Sequence, residues 1–483
     1  MPTVPIRMQT IRNRHVVAGA LISGAAAVFA LAPARPALAQ DLGPLRGDVT
    51  EKVIAADTAQ DVLVAPLPRP EPEDLPGRTR PVAPSGPVQG SGGTPEDDPF
   101  AAQGIRFGSF VLRPSAELGL TGSREKSGSA SAVQRLLGDT SLRLELESDW
   151  DRHQLTLTTA GRLQQPLSGG GDLEPEMSVE ATGRFDITDE TTLTGTLGYA
   201  YELDDPQAAA YLAATDPALT PSVSGTNDPA AQTFNGALTL RQNFGAAYGE
   251  TGLSVERAIY GDAELSDGST VSQHDLDNTV YDMRLRAGVE VSPVFAPFIE
   301  ASWGLRRMDV TPDAGGVDRD ATRYGLRAGT EVDLGEKLSG EIAIGYLRED
   351  IADAALTDLA GVSVDAALNW SPRRGTDVAL SLSTTTETSG GSGDSGALLY
   401  STDLGVTHRA RADLTFETGV GAEYRDEEGG TDAFTLSGTA ALTYWFNRFT
   451  GLTTRIGHER VMSSDAESRS DTTTAFVGLK LQR

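Results

Sequence analysis

From about residue 105 to the carboxyl end, apolar side chains recur on every second residue, with polar, charged or glycine residues between them. Leu142, Leu144 and Leu146 show the pattern, and so do Val362, Val364, Ala366 and Leu368. Successive side chains of a strand point to opposite faces, so period two predicts sheet with one dry and one wet face. Eighteen such stretches can be counted, at about 105–122, 139–149, 153–164, 174–187, 191–204, 230–244, 248–263, 275–291, 295–310, 319–334, 337–350, 356–370, 375–388, 398–410, 413–425, 431–446, 448–461 and 471–483. The connectors between them alternate in length. Eight are tight, among them Asp151-Arg152, Thr188-Asp189-Glu190, Gly245-Ala246-Ala247, Ser292-Pro293, Gly335-Glu336 and Ser371-Pro372-Arg373-Arg374. Nine are longer and rich in Asp, Gly and Ser, the longest running from about Asp205 to Pro229. Strands crossing a barrier whose two sides tolerate different loops produce this asymmetry, with short turns on the periplasmic side in outer-membrane barrels. An even count also lets the first and last strands pair antiparallel, which removes sheet edges. The predicted fold is therefore all-β: a transmembrane antiparallel up-and-down barrel over residues 104–483, of about 18 strands, or 16 if one hairpin is miscounted.

Aromatic residues test the register independently. Trp150, Phe185, Phe244, Phe295, Trp370, Phe416, Tyr444, Trp445, Phe446 and Phe449 lie within a few residues of the short turns. Tyr201, Tyr260, Tyr346 and Tyr424 fall toward the long loops. Lipid headgroup interfaces favour two such belts at opposite strand ends, whereas a soluble sandwich keeps its aromatics in mid-strand. The girdle expected on the periplasmic side is Trp150, Phe185, Phe244, Phe295, Trp370, Tyr444 and Phe446.

The first hundred residues have a different character. Arg7, Arg12 and Arg14 precede an apolar, alanine-rich run from Val16 to Leu31, and Ala37-Leu38-Ala39 supplies the small residues of a cleavage site. This is the layout of a cleaved export signal over residues 1–39, and the run is shorter than the roughly 20 residues a spanning helix needs. Residues 40–103 contain Pro66-Leu67-Pro68-Arg69-Pro70-Glu71-Pro72 and a Gly/Ser-containing stretch around Val88 to Thr94. Such a segment buries too little apolar surface to offset its ordering entropy, so it reads as a disordered periplasmic arm.

Composition narrows function mainly by exclusion. Formal net charge is −28, and without the four arginines of the signal the chain carries 36 basic against 68 acidic residues, or −32. Nucleic-acid binding needs a basic footprint, which is absent. With 0 Cys there is no lipobox cysteine and no disulfide chemistry. The five histidines are scattered, and no nucleophile elbow, zinc-protease motif, phosphate loop or calcium-loop spacing occurs. No catalytic residue, cofactor or metal ligand is assigned.

Several stretches resemble a known family. Gly108-Ser109-Phe110-Val111-Leu112-Arg113-Pro114, Ser148-Asp149-Trp150-Asp151-Arg152-His153, Ala367-Leu368-Asn369-Trp370-Ser371-Pro372 and Tyr444-Trp445-Phe446-Asn447-Arg448 are similar to the putative β-barrel porin 2 family of proteobacterial outer membranes. The resemblance runs diffusely from about Ile105 to Arg483 through turn and girdle features. It implies an outer-membrane barrel of channel type with no established substrate. Outer-membrane barrels usually end on an aromatic residue, whereas this chain ends Val477-Gly478-Leu479-Lys480-Leu481-Gln482-Arg483.

Alternation assigns inward faces. Arg284, Arg286 and Glu290 share one parity, as do Glu300 and Arg306, then Arg323, Arg327 and Glu331, with Glu341 on the following strand. These residues form an expected lumen charge ladder, arginines toward the long loops and acids toward the short turns. Rings of charged side chains set pore selectivity, while solvated pairs on a lumen wall contribute little. Glu145 and Glu147 beside Arg143, with Glu180 and Arg184, form a second inward group. The function expected is passive conduction of small hydrophilic solutes or ions. Two alternatives are a structural, envelope-interacting barrel with an occluded lumen and a polysaccharide exporter, which would favour a continuous stripe of arginines. Expected partners are outer-membrane lipid and lipopolysaccharide, the barrel-insertion machinery and small hydrophilic solutes.

Overall fold

The computed structural model describes residues 99–128, 131–203, 229–264, 270–313, 315–387, 395–427, 432–464 and 469–483. The expected signal peptide, residues 40–98 of the arm and most of the loop at 205–229 lie outside the described residues.

Eighteen strands form the wall. They are β1 (Phe110–Ser127), β2 (Val133–Ser148), β3 (Gln154–Ser168), β4 (Glu174–Asp186), β5 (Thr191–Leu203), β6 (Ala230–Phe244), β7 (Ala247–Tyr260), β8 (Asn278–Val289), β9 (Phe295–Met308), β10 (Ala321–Asp333), β11 (Leu338–Ile351), β12 (Leu359–Arg373), β13 (Thr376–Glu387), β14 (Ala397–Arg411), β15 (Leu414–Glu427), β16 (Ala433–Asn447), β17 (Thr450–Ser463) and β18 (Ser470–Gln482). Each pairs antiparallel with its sequence neighbours, and β1 closes on β18 from Ser115↔Gln482 to Ser127↔Ser470. Closure leaves the sheet with no free first or last strand, as hydrocarbon requires. Buried charge fastens the closing seam: Glu117 on β1 meets Arg455 on β17 at 3.0 Å and Lys480 on β18 at 3.2 Å. No helix of the described residues is long and apolar enough to cross a membrane.

The first strand differs from the expected one. Ile105–Phe107 turns at Gly108, whose φ is +62°, and folds back on Phe110–Leu112. A positive φ strains any residue with a Cβ, so the glycine breaks what reads as one run.

Outward positions carry the membrane-facing set. Leu285, Ile299, Leu326, Ile344, Val420 and Ile456 are all exposed, and so are the seven expected girdle residues. Val477, Leu479 and Leu481 face outward at the carboxyl end. Trp445 and Tyr260 correct the aromatic reading: both are buried and face the interior, because their parity is opposite to that of Tyr444 and Phe446 and of Val255 and Leu253.

Four interior aromatics, Tyr248, Phe298, Trp445 and Phe476, share one construction: each ring lies on a glycine of an adjacent strand. Tyr248 lies against Gly288, its cross-strand partner, and Phe298 lies against its partner Gly329. Trp445 does the same with Gly451, and Phe476 with Gly119 of β1, its ring also covering Gly478 of its own strand. A glycine leaves a slot in the pleated surface, which lets the ring lie flat and the sheet curl.

One hairpin leaves the wall. Pairing of β12 with β13 stops at Ala366↔Leu382, although both strands continue beyond it. Above that point the Thr384 hydroxyl takes the ladder's place, accepting from Val364 N at 2.9 Å and donating to Val364 O at 3.2 Å.

Candidate lumenal charge cluster

The inner wall from β6 to β12 carries a buried network of opposite charges. Arg286 lies at its centre. Its guanidinium meets Glu300 at 2.7 Å, Glu341 at 2.7 Å, Glu331 at 3.5 Å and Glu250 at 3.9 Å. Arg241 bridges Glu250 at 2.7 Å and Glu331 at 3.2 Å, and the Tyr248 hydroxyl donates to Glu331 at 2.9 Å. Arg327 meets Glu300 at 2.7 Å and Asp365 at 3.1 Å, while Arg284 meets Glu300 at 3.4 Å. Toward the long loops, Glu349 pairs with both Arg306 and Arg323 and accepts from the Thr386 hydroxyl; Asp282 lies 3.8 Å from Arg323.

Several of these contacts skip strands. Arg241 on β6 and Glu331 on β10 are four strands apart, which is about 19 Å along a sheet at normal strand spacing. Two side chains span that distance only where the sheet curls tightly, and the curl coincides with the glycine slots under Tyr248 and Phe298. Arg241 then stacks over the Tyr248 ring at 3.7 Å, and Arg286 over the Phe298 ring at 3.9 Å. Each stack runs glycine, ring, guanidinium from wall to lumen. The sequence uses arginine at all six cationic positions of this cluster, in keeping with the fork geometry that lets one guanidinium serve several carboxylates.

Arg284, Arg286, Glu300, Arg306, Arg323, Arg327, Glu331 and Glu341 of the expected ladder are all buried in this network. Glu290 differs from them: it follows β8 at a short turn and is half-buried. The vertical separation of signs is also incomplete. Glu349 and Asp282 place acids among the upper arginines, so most arginines meet a carboxylate near their own height. Glu349 shares the parity of Glu341 and was within reach of the alternation argument. Arg241, Tyr248, Glu250 and Asp365 extend the cluster beyond the four expected strands, and only strand pairing brings them in. In the second inward group, Glu145 and Glu147 also meet Arg113 of β1, at 3.4 and 2.7 Å, and Arg184 meets Asp186.

On the far side of the lumen, Asp139 gathers Thr121, Arg162 and Gln164. The inward positions of β4 and β5 are mostly half-buried. The largest network of buried charge thus lies on the β6 to β12 arc, and β4 and β5 are more open. Among the described residues no group of three or more His, Asp or Glu is placed to hold a metal ion.

A family model described as putative beta-barrel porin 2 matches residues 98–483. No curated protein matches the chain. Solved structures similar in outline include OccK2 (OpdF) of Pseudomonas aeruginosa, at 13% identity and a TM-score of 0.37, covering 77% of this chain and 98% of that one. A BenF-like porin from Pseudomonas fluorescens Pf-5 has 10% identity and a TM-score of 0.37, with 77% and 99% covered. The copper transporter OprC has 11% identity and a TM-score of 0.41, with 79% and 82% covered.

Proposed function

The chain belongs to the putative beta-barrel porin 2 family, and from that premise we propose that it passes small hydrophilic solutes and ions passively, screened by the charge cluster on one arc of its lumen. One observation carries the screening: six guanidiniums and seven carboxylates are fixed on the inner face of β6 to β12, where a permeating ion must pass them. Barrels of this strand number leave an aqueous lumen. Fixed charges on such a wall weight cations against anions, and no bond of the solute is made or broken. In this reading both ends of the barrel wall, at Phe110 and Gln482, are on the periplasmic side, which is that of the short turns such as 245–246, 374–375 and 448–449.

Selectivity tests the assignment directly. Arg284→Gln, Arg306→Gln and Arg327→Gln, taken one at a time, should each move the reversal potential in a salt gradient toward cation selectivity. Glu331→Gln and Glu341→Gln should move it the other way. Each step should be about two- to fivefold in permeability ratio, the scale of a charge effect of up to about 1 kcal/mol. Ratios unchanged in both series would remove the cluster from the permeation path.

A structural barrel with an occluded lumen is favoured by a single feature, the hairpin that leaves the wall above Ala366↔Leu382. Polysaccharide export is less well served, because the arginines of the arc are interleaved with acids and form no continuous basic stripe.

A further inference from the structure

The β13–β14 hairpin is on the wrong side of its neighbours near the long loops. Parity along β14 is fixed lower down, where Leu404 and its partner Val420 both face outward. On that parity Leu398 and Tyr400 of β14 should face lipid, with their partners Thr386 and Thr384 of β13. They instead touch the inner side of the preceding strands. Thr386 donates to Glu349, a lumenal residue of β11. Thr384 is bonded to the backbone of Val364 on β12. A methyl group on Gly361, an inward position of β12, would come 2.5 Å from Leu398 Cδ1 and 3.0 Å from the Tyr400 hydroxyl. Three contacts at three heights agree: the outer half of the hairpin has slid behind β12 into the lumen.

Burial agrees with this placement. Thr384, Thr385, Thr386 and Glu387 are all buried in succession, as are Ala397, Leu398 and Leu399, so both faces of the hairpin are covered. A strand in the wall would show lipid one face and bury the other. Its loop end is tied down as well, with Thr357 N donating to the Ser395 hydroxyl at 2.7 Å. On its lumenal face, Glu387 holds Arg425 of β15 at 3.0 Å.

We propose that the outer half of the β13–β14 hairpin is the size-limiting element of the pore, latched inside the lumen by Thr386 on Glu349 and seated on the bare backbone of Gly361. The hairpin lies on the same arc as the charge cluster, and Glu349 belongs to both. A solute therefore meets the cluster and the hairpin at one level, and the pore discriminates there by width as well as by charge. The β12 edge from Leu359 to Asp365 is left without its β13 ladder, so a return of the hairpin to the wall has a vacant register to fill.

The inference rests on the pore reading, so its test needs one readout that does not depend on conduction. Gly361→Ala adds a methyl where Leu398 sits, at a position whose backbone accepts alanine, and should evict the hairpin. With no native cysteine, Ala397→Cys reports the hairpin's cover through its labelling by a water-soluble maleimide in detergent-purified protein. In the parent, Ala397→Cys should be protected; with Gly361→Ala added, labelling should accelerate at least tenfold. Single-channel conductance should rise at least twofold in Gly361→Ala and return to the parent value in Gly361→Ala/Leu398→Ala, which restores the space. Thr386→Val should raise conductance in the same direction by removing the latch hydroxyl. Labelling unchanged by Gly361→Ala in a folded barrel overturns the tucked hairpin. Accelerated labelling with conductance equal to the parent overturns its role as the size limit. Accelerated labelling with no conductance in any variant overturns the pore reading instead.

Discussion

Arg286→Ala should cost the barrel about 3–5 kcal/mol, the usual loss when one member of a buried charged network is removed. Arg286 is 3% exposed and stands among Glu250, Glu300, Glu331 and Glu341, all within 3.9 Å of its guanidinium. Without it, Arg241, Arg284 and Arg327 remain to balance those four acids. None of the three reaches Glu341 within ion-pair distance among the contacts described. The Phe298 ring also loses the cation stacked over it. Equilibrium urea unfolding from lipid vesicles measures the loss. Arg286→Lys should recover less than half, since one ammonium cannot serve carboxylates fixed around a planar fork. Arg286→Ala/Glu341→Gln should be less destabilised than the two single losses combined, because the second change removes the acid that the first one strands. Additive losses in that cycle would show that Arg286 and Glu341 are neighbours without coupling.

Gly288→Val should destabilise by about 1–3 kcal/mol through overpacking alone. A Cβ at Gly288 would come 2.2 Å from Cζ of Tyr248, and the ring has nowhere neutral to go. It is held from below by the slot, from above by Arg241 at 3.7 Å, and at its hydroxyl by Glu331. Displacing it therefore loosens the Arg241 side of the cluster as well as the curl of the sheet. Gly438→Ala is the control, since a methyl there meets no atom within 4 Å. In the Tyr248→Ala background, Gly288→Val should add little further loss. A full additional loss in that background would place the strain somewhere other than the ring.

The wall was legible because one constraint repeats along it. Hydrocarbon on one side and water on the other force period two on each strand, and an asymmetric membrane forces the connector lengths. That reasoning reaches strand count, closure and the outward girdle residues. It also reaches the inward parity of Arg286 or Glu341, because parity is local. It does not reach the partners. Arg241 and Glu331 are 90 residues apart in sequence, and they meet because the sheet curls over glycine slots whose register only strand pairing fixes. Tyr248 and Phe298 have inward parity, yet aromatic residues near short turns look like girdle residues until a glycine is seen beside them. The tucked hairpin is hidden for a related reason. Thr384 and Thr386 keep a regular strand pattern, and what changes is which side of β12 they lie on.

The most direct test of the central claim is single-channel recording from the refolded protein in a planar bilayer, with reversal potentials taken in a salt gradient. A passive, charge-lined pore predicts stable ohmic steps, unchanged by membrane polarity, with a permeability ratio that moves in opposite directions for Arg327→Gln and Glu341→Gln. A correctly folded barrel that gives no steps in the parent protein or in Gly361→Ala would contradict it.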